Sequence, residues 1–146
     1  MSLWLSGIGV SRGIAIGRAH RIQSADLDIP EYTIELSAVD AEVARFSEAL
    51  GQAQAQLRQI RAQLPGARAD IAAFIETHLL MLEDRALSDA VVALIRERRC
   101  NAEWALRLQR DALVAVFEQM EDAYLKSRRD DVEHVVSGIL RILLRQ

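Results

Sequence analysis

The fold is decided by residues 37–66, which read SAVDAEVARFSEALGQAQAQLRQIRAQLPG. Apolar side chains recur in this stretch at alternating spacings of four and three, which places them along one side of a long helix. They are Val39, Val43, Phe46, Leu50, Ala53, Leu57, Ile60 and Leu64. Ser37 and Asp40 resemble a capping box at the start, and Pro65-Gly66 ends the run. The stretch therefore predicts one long helix that needs partners to cover its apolar side.

Further apolar stripes of helical spacing follow and can supply those partners. Asp84 is placed to cap the second half of a kinked helix, Asn101 to cap the next run, and the charged residues 128–131 predict a break before the last helix. The stripes are Ile71, Ile75, Leu79 and Leu82; Leu87, Val91, Leu94 and Ile95; Leu106, Leu113, Phe117, Met120 and Tyr124; and Val132, Val135, Val136, Ile139 and Leu143. We predict a mainly α fold, an antiparallel four-helix-type bundle whose second helix is kinked.

The first 36 residues have a different character. Glycines crowd residues 7–17, and Ile14 and Ile16 alternate with small residues, which predicts a short N-terminal β segment. Two short strands cannot form a stable sheet alone. We therefore assign residues 1–36 to a β segment and linker of another domain and residues 37–146 to the helical subdomain. Residues 3–22 are expected to be disordered, folded back, or paired with a second copy, which makes a homodimer possible.

Composition excludes several classes of protein. The net charge of −3 offers no general attraction to nucleic acid. Apolar windows such as residues 71–82 are interrupted by Glu76 and His78 and are too short to span a bilayer. The lone Cys100 cannot form an internal disulfide, and no stretch resembles a secretion signal. These features predict a soluble, cytoplasmic protein.

Two kinds of cofactor site can be tested against the sequence. The spacing of Gly7, Gly9 and Gly13 is one residue too long for a dinucleotide-binding loop, and a strand pattern follows where a helix is required. A di-iron site in a bundle needs two Glu-x-x-His pairs, but the nearest approach is Asp131 with His134. No metal site or catalytic residue is therefore predicted in this chain.

The surroundings of His78 are the strongest indication of a binding surface. A lone histidine on an apolar helix is usually a packing residue. However, Phe74, Thr77 and Met81 share a side with His78 that is offset from the stripe beginning at Ile71. A helix that is apolar on two sides either buries both sides within its own protein or binds a partner with one of them.

Taken in order, five motifs resemble the N-terminal region of Enzyme I, the phosphoenolpyruvate-protein phosphotransferase of the bacterial phosphotransferase system. They extend from about Gly7 to the C-terminus, and Arg12 stands where the family usually has proline. The motifs are GIGVSRGIAIGRA at residues 7–19, EVARF at residues 42–46, FIETHLLMLED at residues 74–84, NAEWA at residues 101–105 and DAYLKSRRDDV at residues 122–132.

The resemblance implies a function for the helices. In that family a helical subdomain, inserted in an α/β phosphohistidine domain, binds the phosphocarrier HPr, and a C-terminal barrel binds phosphoenolpyruvate and magnesium. The phosphate-carrying histidine lies beyond the helical subdomain. By this resemblance, residues 1–36 are expected to belong to the α/β phosphohistidine domain. This chain lacks the histidine segment, so it is expected to be inactive alone and to need no cofactor, although magnesium is expected for the parent enzyme. The implied partner-binding residues are Asp70, Phe74, Thr77, His78, Met81, Arg85, Tyr124, Leu125 and Arg128.

One departure bears on the partner. Ala69, Arg85 and Ala86 stand where sugar-system members tend to be acidic, so attraction to a basic HPr should be weaker. The nitrogen-branch paralogue of HPr is therefore an alternative carrier. A stand-alone helical interaction or dimerisation module and a metal-dependent helical-bundle enzyme also stay open as readings of this sequence.

Overall fold

The computed structural model describes residues 2, 4–18, 27–66 and 68–145. In these ranges a short 3-10 turn at Leu36–Ala38 leads into five α-helices. They are α1 Val39–Gln63, α2 Ala69–Glu83, α3 Arg85–Arg98, α4 Ala102–Glu118 and α5 Ala123–Leu143.

The helices pack through most of the predicted apolar stripes, although Ile60, Leu64, Ile71 and Tyr124 are 43–64% exposed. α1 contacts the other four helices, and α4 packs along α5 and against α3. Large side chains from four of the helices are fully buried where they meet: Phe46, Val91, Ile95, Leu106, Val136, Ile139, Leu140 and Leu143. Burial of each contributes about 1.5–3 kcal/mol before conformational entropy is counted. The predicted helical bundle is confirmed.

The ends of α1 differ partly from the prediction. Ser37 lies in the 3-10 turn, and α1 begins after Ala38, which makes no side-chain capping bond. The predicted capping box is therefore wrong, because the tighter turn displaces Ser37 from the N-cap position. At the other end α1 stops at Gln63, and Gly66 has a φ of 83°, a conformation that favours glycine.

The predicted kink lies at Asp84, which ends α2 and starts α3. Its backbone is extended, and its carboxylate accepts a hydrogen bond from the amide of Ala86 at 2.8 Å. A side-chain acceptor at this position satisfies one of the free amides of the new helix. The chain therefore turns sharply here, and the kinked second helix is two separate helices.

The predicted break at residues 128–131 is wrong, because α5 runs through them without interruption. The break lies at residues 119–122, where the carboxylate of Asp122 caps α5 by accepting from the amides of Tyr124 at 2.8 Å and Leu125 at 3.1 Å. Arg128 and Asp131 pair with each other at 2.9 Å along the helix. Charges spaced in this way support a helix and do not end it.

The predicted N-terminal β segment is not formed in the described part of the chain. Residues 4–18 contain no strand, and their apolar side chains are almost fully exposed, from 84% for Leu5 to 98% for Ile16. An isolated bridge joins Thr33 to Cys100. A strand needs a neighbour to complete its hydrogen bonds, and no strand among the described residues pairs with residues 4–18. Leu3 and residues 19–22 of the predicted segment lie outside the described residues.

Two smaller findings concern the membrane and the cysteine. Within the described ranges, no helix is both long and apolar enough to cross a bilayer. Cys100 is buried, its thiol donates to the carbonyl of Leu94 at 3.8 Å, and burial raises the pKa of that thiol. A buried thiol of raised pKa is a poor nucleophile.

A partly buried ion pair joins α1 to α4, with the Arg45 side chain 25% exposed. The Arg45 guanidinium donates to the Glu103 carboxylate at 2.7 Å, and Glu103 is only 4% exposed. Burial raises the pKa of the Glu103 carboxyl, but hydrogen bonds from Arg45 and Asn101 outweigh it and hold that pKa below its ordinary value. The charged form of Glu103 is therefore the form that the fold stabilises.

This ion pair predicts a pH dependence of stability. Because the folded pKa of Glu103 lies below the ordinary 4.5, its contribution is present above about pH 4.5 and is lost as the pH falls through the folded value. Urea unfolding from pH 7 to pH 3 should show a smaller fall in unfolding free energy for Glu103→Gln than for the unmodified chain. Glu97→Gln, at an exposed position, serves as control. Equal falls for all three proteins would contradict this role of Glu103.

Candidate functional site

The surface between α2 and the start of α5 holds most of the predicted partner-binding residues. On α2 the inner side chains Ile75, Leu79 and Leu82 are buried, whereas Phe74 remains 51% exposed on the side nearer to α5. On α5 Tyr124 is 64% exposed and Leu125 is 42% exposed. Both helices therefore expose large apolar groups to solvent on this surface.

His78 supports this surface from beneath. The side chain is buried, and its ring lies 4.0 Å from the ring of Phe74, measured between centroids. Nε2 of His78 lies 3.2 Å from the Oδ1 of Asp131 on α5. An ionised carboxylate can only accept, so Nε2 carries the hydrogen in this contact. His78 is among the predicted partner-binding residues, and the structure places it under Phe74, where it links α2 to α5.

Asp131 joins His78 to the rest of the surface. Its second oxygen accepts a hydrogen bond from Arg128 at 2.9 Å. The Arg128 guanidinium lies 4.5 Å from the centroid of the Tyr124 ring and also donates to the Tyr124 hydroxyl. A cation over an aromatic face is attracted by the electrons of the ring. The chain of contacts from Phe74 to Tyr124 is therefore continuous.

We name this surface the α2–α5 face. It consists of Phe74, Thr77 and Met81 on α2 and Tyr124, Leu125 and Arg128 on α5. Thr77 and Met81 are partly buried, and Met81 packs against the core. The face has an exposed aromatic and aliphatic centre, and a fixed arginine stands at its edge.

Two predicted residues stand apart from this face. Asp70 is exposed and pairs with Arg68 at 3.3 Å. Arg85, at the start of α3, pairs with Asp89 at 3.5 Å, and its side chain is 87% exposed. No hydrogen bond or ion pair of the described residues connects either of them to the α2–α5 face.

Asp131 is the residue of this candidate site that sequence reasoning missed. It was interpreted as part of a helix break and as half of an incomplete metal pair. Its spacing of three from Arg128 was a usable signal, because residues three apart on a helix are neighbours. Its contact with His78 spans 53 residues of sequence and depends on how α2 packs against α5. That contact could not be predicted from local pattern.

Asp131 provides a test of how this surface is held together. Asp131→Ala leaves Nε2 of buried His78 without its acceptor, so we expect the free energy of unfolding to fall by about 1–3 kcal/mol. Urea denaturation measures this loss. Asp130→Ala is the matched control, because its side chain is 63% exposed and lies one residue away. Losses of equal size in the two variants would show that the His78–Asp131 contact stabilises nothing.

A concavity lies between α4, α5 and residues 27–29. It has a volume of about 730 Å³, and its charged lining includes Arg107, Arg110 and Arg141 together with acidic residues. Two of these arginines already pair with Asp111, Arg110 at 2.8 Å and Arg107 at 3.8 Å. None of the predicted partner-binding residues lines it. Among the residues that the structure describes, no three His, Cys, Asp or Glu side chains group as metal ligands.

Comparison with known proteins places the chain in a family. The family model described as PEP-utilising enzyme, N-terminal, matches residues 6–128. An NMR solution structure of Enzyme I has a TM-score of 0.76 and 29% identity, with 82% of this chain and 49% of that chain covered. The N-terminal domain of Enzyme 1 - Nitrogen has a TM-score of 0.73 over 81% of this chain and 49% of that one. Its identity of 23% supports the fold alone.

Curated relatives align along nearly the whole chain. The phosphoenolpyruvate-protein phosphotransferase of Cupriavidus necator is 42% identical over 98% of this chain, which spans 25% of that protein. The phosphoenolpyruvate-protein phosphotransferase of Bacillus subtilis is 36% identical over 96% of this chain, which spans 24% of that protein. The chain therefore spans about a quarter of the length of these relatives. As the resemblance to Enzyme I predicted, the chain belongs to the family of N-terminal domains of PEP-utilising enzymes.

Proposed function

We propose that this chain is the carrier-binding part of a phosphoenolpyruvate-protein phosphotransferase. The α2–α5 face binds a small phosphocarrier protein, either HPr or its nitrogen-branch paralogue. The parent enzyme takes phosphate from phosphoenolpyruvate onto a histidine outside this chain and passes it to a histidine of the carrier. The chain alone is inactive in this reaction and acts by positioning the carrier.

One observation carries this proposal: Phe74 is half exposed yet held in place. Its ring contacts the ring of buried His78 at a tilt of 47°, and Asp131 orients His78 from the neighbouring helix. A large aromatic group that is ordered before binding loses little entropy when a partner covers it. Aromatic anchors of this kind dominate the binding energy of many interfaces. Phe74 is therefore the expected centre of the contact.

The composition of the face suits a transient complex. An apolar centre with a charged edge is typical of small interfaces that form and dissociate quickly. Arg128 is fixed by Asp131 and Tyr124, so its guanidinium is preorganised at the edge. A carrier must leave after each transfer, so an interface of moderate strength is appropriate.

The phosphoryl transfer catalysed by the parent enzyme determines the role of the α2–α5 face. In each transfer the bond between phosphorus and the enzyme's histidine nitrogen breaks as a bond to the carrier's histidine nitrogen forms. Such a reaction depends mostly on bringing the two nitrogens into line. We also propose that magnesium and phosphoenolpyruvate bind in the part of the enzyme outside this chain, and that the enzyme acts in the cytoplasm.

Isothermal titration calorimetry of this chain with each of the two carriers tests the proposal. We expect binding with a dissociation constant of about 10 μM, in the range of transient complexes. The carrier that binds more tightly identifies the branch, and Arg85 favours the less basic one. Sedimentation at the same concentrations controls for self-association through the exposed residues 4–18. Absence of binding to both carriers would contradict the proposed function.

A further inference from the structure

One end of the bundle joins four separate parts of the chain. They are the start of α1, the start of α4, the extended segment at residues 30–34 and the end of α5. This end is remote from the α2–α5 face, because Tyr124 stands at the start of α5 and Leu143 at its last turn. At about 1.5 Å per residue the two positions lie roughly 28 Å apart along the helix axis.

Helix α4 is capped by a residue from another helix. Asn101 occupies the N-cap position of α4, but its side chain makes no capping bond to that helix. Glu42 of α1 takes over this task, since its Oε1 accepts a hydrogen bond from the amide of Ala102 at 2.7 Å. The start of α4 is thereby fastened to α1, and the side chain of Asn101 is free for other contacts.

The side chain of Asn101 instead forms hydrogen bonds to the extended segment. Its Oδ1 accepts from the amide of Tyr32 at 3.1 Å, and its Nδ2 donates to the carbonyl of Pro30 at 2.9 Å. The amide of Asn101 donates to the carbonyl of Tyr32 at 3.2 Å, and Ile34 donates to the carbonyl of Arg99 at 2.8 Å. The segment is therefore bound to the bundle on both sides of Tyr32.

Arg45 connects these contacts to the end of α5. Its Nη2 donates to Glu42 at 2.6 Å and to Glu103 at 2.7 Å, while Nη1 donates to the carbonyl of Leu143 at 3.4 Å. Nδ2 of Asn101 also donates to Glu103 at 2.9 Å. A positive charge beside the last carbonyls of a helix is favourable. One guanidinium thus touches α1, α4 and α5.

The group is largely buried, although the Arg45 side chain is 25% exposed. Asn101 is 0% exposed and Glu103 is 4% exposed. Over the described residues, no buried side-chain nitrogen or oxygen lacks a hydrogen-bond partner. A buried polar network in which every member is satisfied has few alternative arrangements, so it specifies one geometry. Its effect is therefore to fix the relative positions of the segments it joins.

We propose that Arg45 and Asn101 form a clamp that holds the N-terminal extended segment and the end of α5 in one fixed arrangement. The inference rests on the proposed function: a carrier bound at the α2–α5 face must be held in a set orientation to the remainder of the enzyme. The clamp lies where residues 30–34 and Leu143 meet the bundle, so both are positioned together. Arg45 is a positioning residue and does not touch the carrier.

Hydrogen exchange of this chain tests the clamp. In Arg45→Met, the amides of Tyr32 and Asn101 should exchange faster than in the unmodified chain. This acceleration should be at least tenfold greater than the acceleration at the core amides of Val136 and Ile139. A merely structural role would accelerate all protected amides by one common factor. Arg58→Met is the matched control, because Arg58 of α1 forms a half-exposed pair with Glu83 and should change neither amide.

A second variant keeps the test available if Arg45→Met fails to fold. Arg45→Lys retains the charge but lacks the forked donors that span Glu42, Glu103 and Leu143. It should accelerate exchange at Tyr32 and Asn101 by several-fold. A uniform change across the chain in either folded variant would overturn the clamp.

Two further readouts separate the clamp from the proposed function. The dissociation constant of Arg45→Lys for the carrier should stay within twofold of the unmodified chain. In the complete phosphotransferase the same change should lower kcat for transfer about tenfold while KM for the carrier stays within twofold. A changed KM with unchanged kcat would overturn the clamp alone. Absence of carrier binding by the unmodified chain would overturn the proposed function and leave the exchange result standing.

Discussion

Replacement of Phe46 by alanine is expected to lower the free energy of unfolding by about 3–5 kcal/mol. Phe46 is 0% exposed, and it lies in the core cluster among residues of α3, α4 and α5. The substitution removes a full aromatic ring and leaves a cavity that neighbouring helices can only partly fill. Many domains of this size are stable by only about 5–15 kcal/mol, so the variant should be close to its stability limit at 37 °C.

Urea denaturation followed by circular dichroism measures this loss. Phe74→Ala is the matched control, because it removes the same ring from a half-exposed position on α2. Loss of its partial burial should cost about 1 kcal/mol. Equal losses at the two positions would mean that α1 does not occupy the centre of the core.

Phe74→Ala should instead weaken binding of the phosphocarrier about 30-fold. This factor corresponds to about 2 kcal/mol, the usual loss when an aromatic residue at the centre of an interface is removed. The variant also removes the ring that covers His78, so the surface becomes less ordered before binding. Calorimetric titration with the carrier that binds the unmodified chain provides the measurement.

Leu80→Ala controls for the loss of an exposed apolar group from the same helix. Leu80 is 63% exposed, and it lies six residues after Phe74, at an angular separation of about 120° around α2. Its replacement should change the dissociation constant by less than about twofold. If Leu80→Ala weakened binding as much as Phe74→Ala, the contact surface would have to lie on the other side of α2.

Local pattern was sufficient to predict most of the helices. The stripe from Val39 to Leu64 has one interpretation, because spacings of three and four keep its members on one side of a helix. Asp84 was also predictable, since a carboxylate before a helical run is a common N-cap. The misplaced break had a similar signal: Asp122 precedes α5 as Asp84 precedes α3. The charges at 128–131 were given more weight than this cap.

The contacts that hold the candidate sites together were beyond local pattern. His78 and Asp131 are 53 residues apart, and Arg45 and Glu103 are 58 apart. Neither pair shares a helix, so periodicity cannot relate their members. Asn101 was correctly placed at the N-cap position, but its side chain bonds the segment at Pro30 and Tyr32 because Glu42 supplies the cap. Glu42 can cap α4 in place of Asn101 only after α1 and α4 have packed together.

The N-terminal residues show the other limit of sequence reasoning. The alternation of Ile14 and Ile16 is typical of a strand, yet residues 4–18 form none and expose these side chains almost completely. A strand is stabilised by its neighbours and not by its own sequence. The sequence therefore indicates a preference for strand structure, but a strand forms only when a partner strand is present.

The central claim is that the α2–α5 face binds the phosphocarrier, and an NMR titration of the isotope-labelled chain tests it most directly. The chain should be titrated with HPr and, separately, with its nitrogen-branch paralogue. We predict that one carrier shifts the amide resonances of Phe74, Met81, Tyr124 and Arg128 most strongly, with little change at the clamp around Arg45. Shifts confined to the cavity between α4 and α5 or to residues 4–18, or no shifts with either carrier, would contradict the claim.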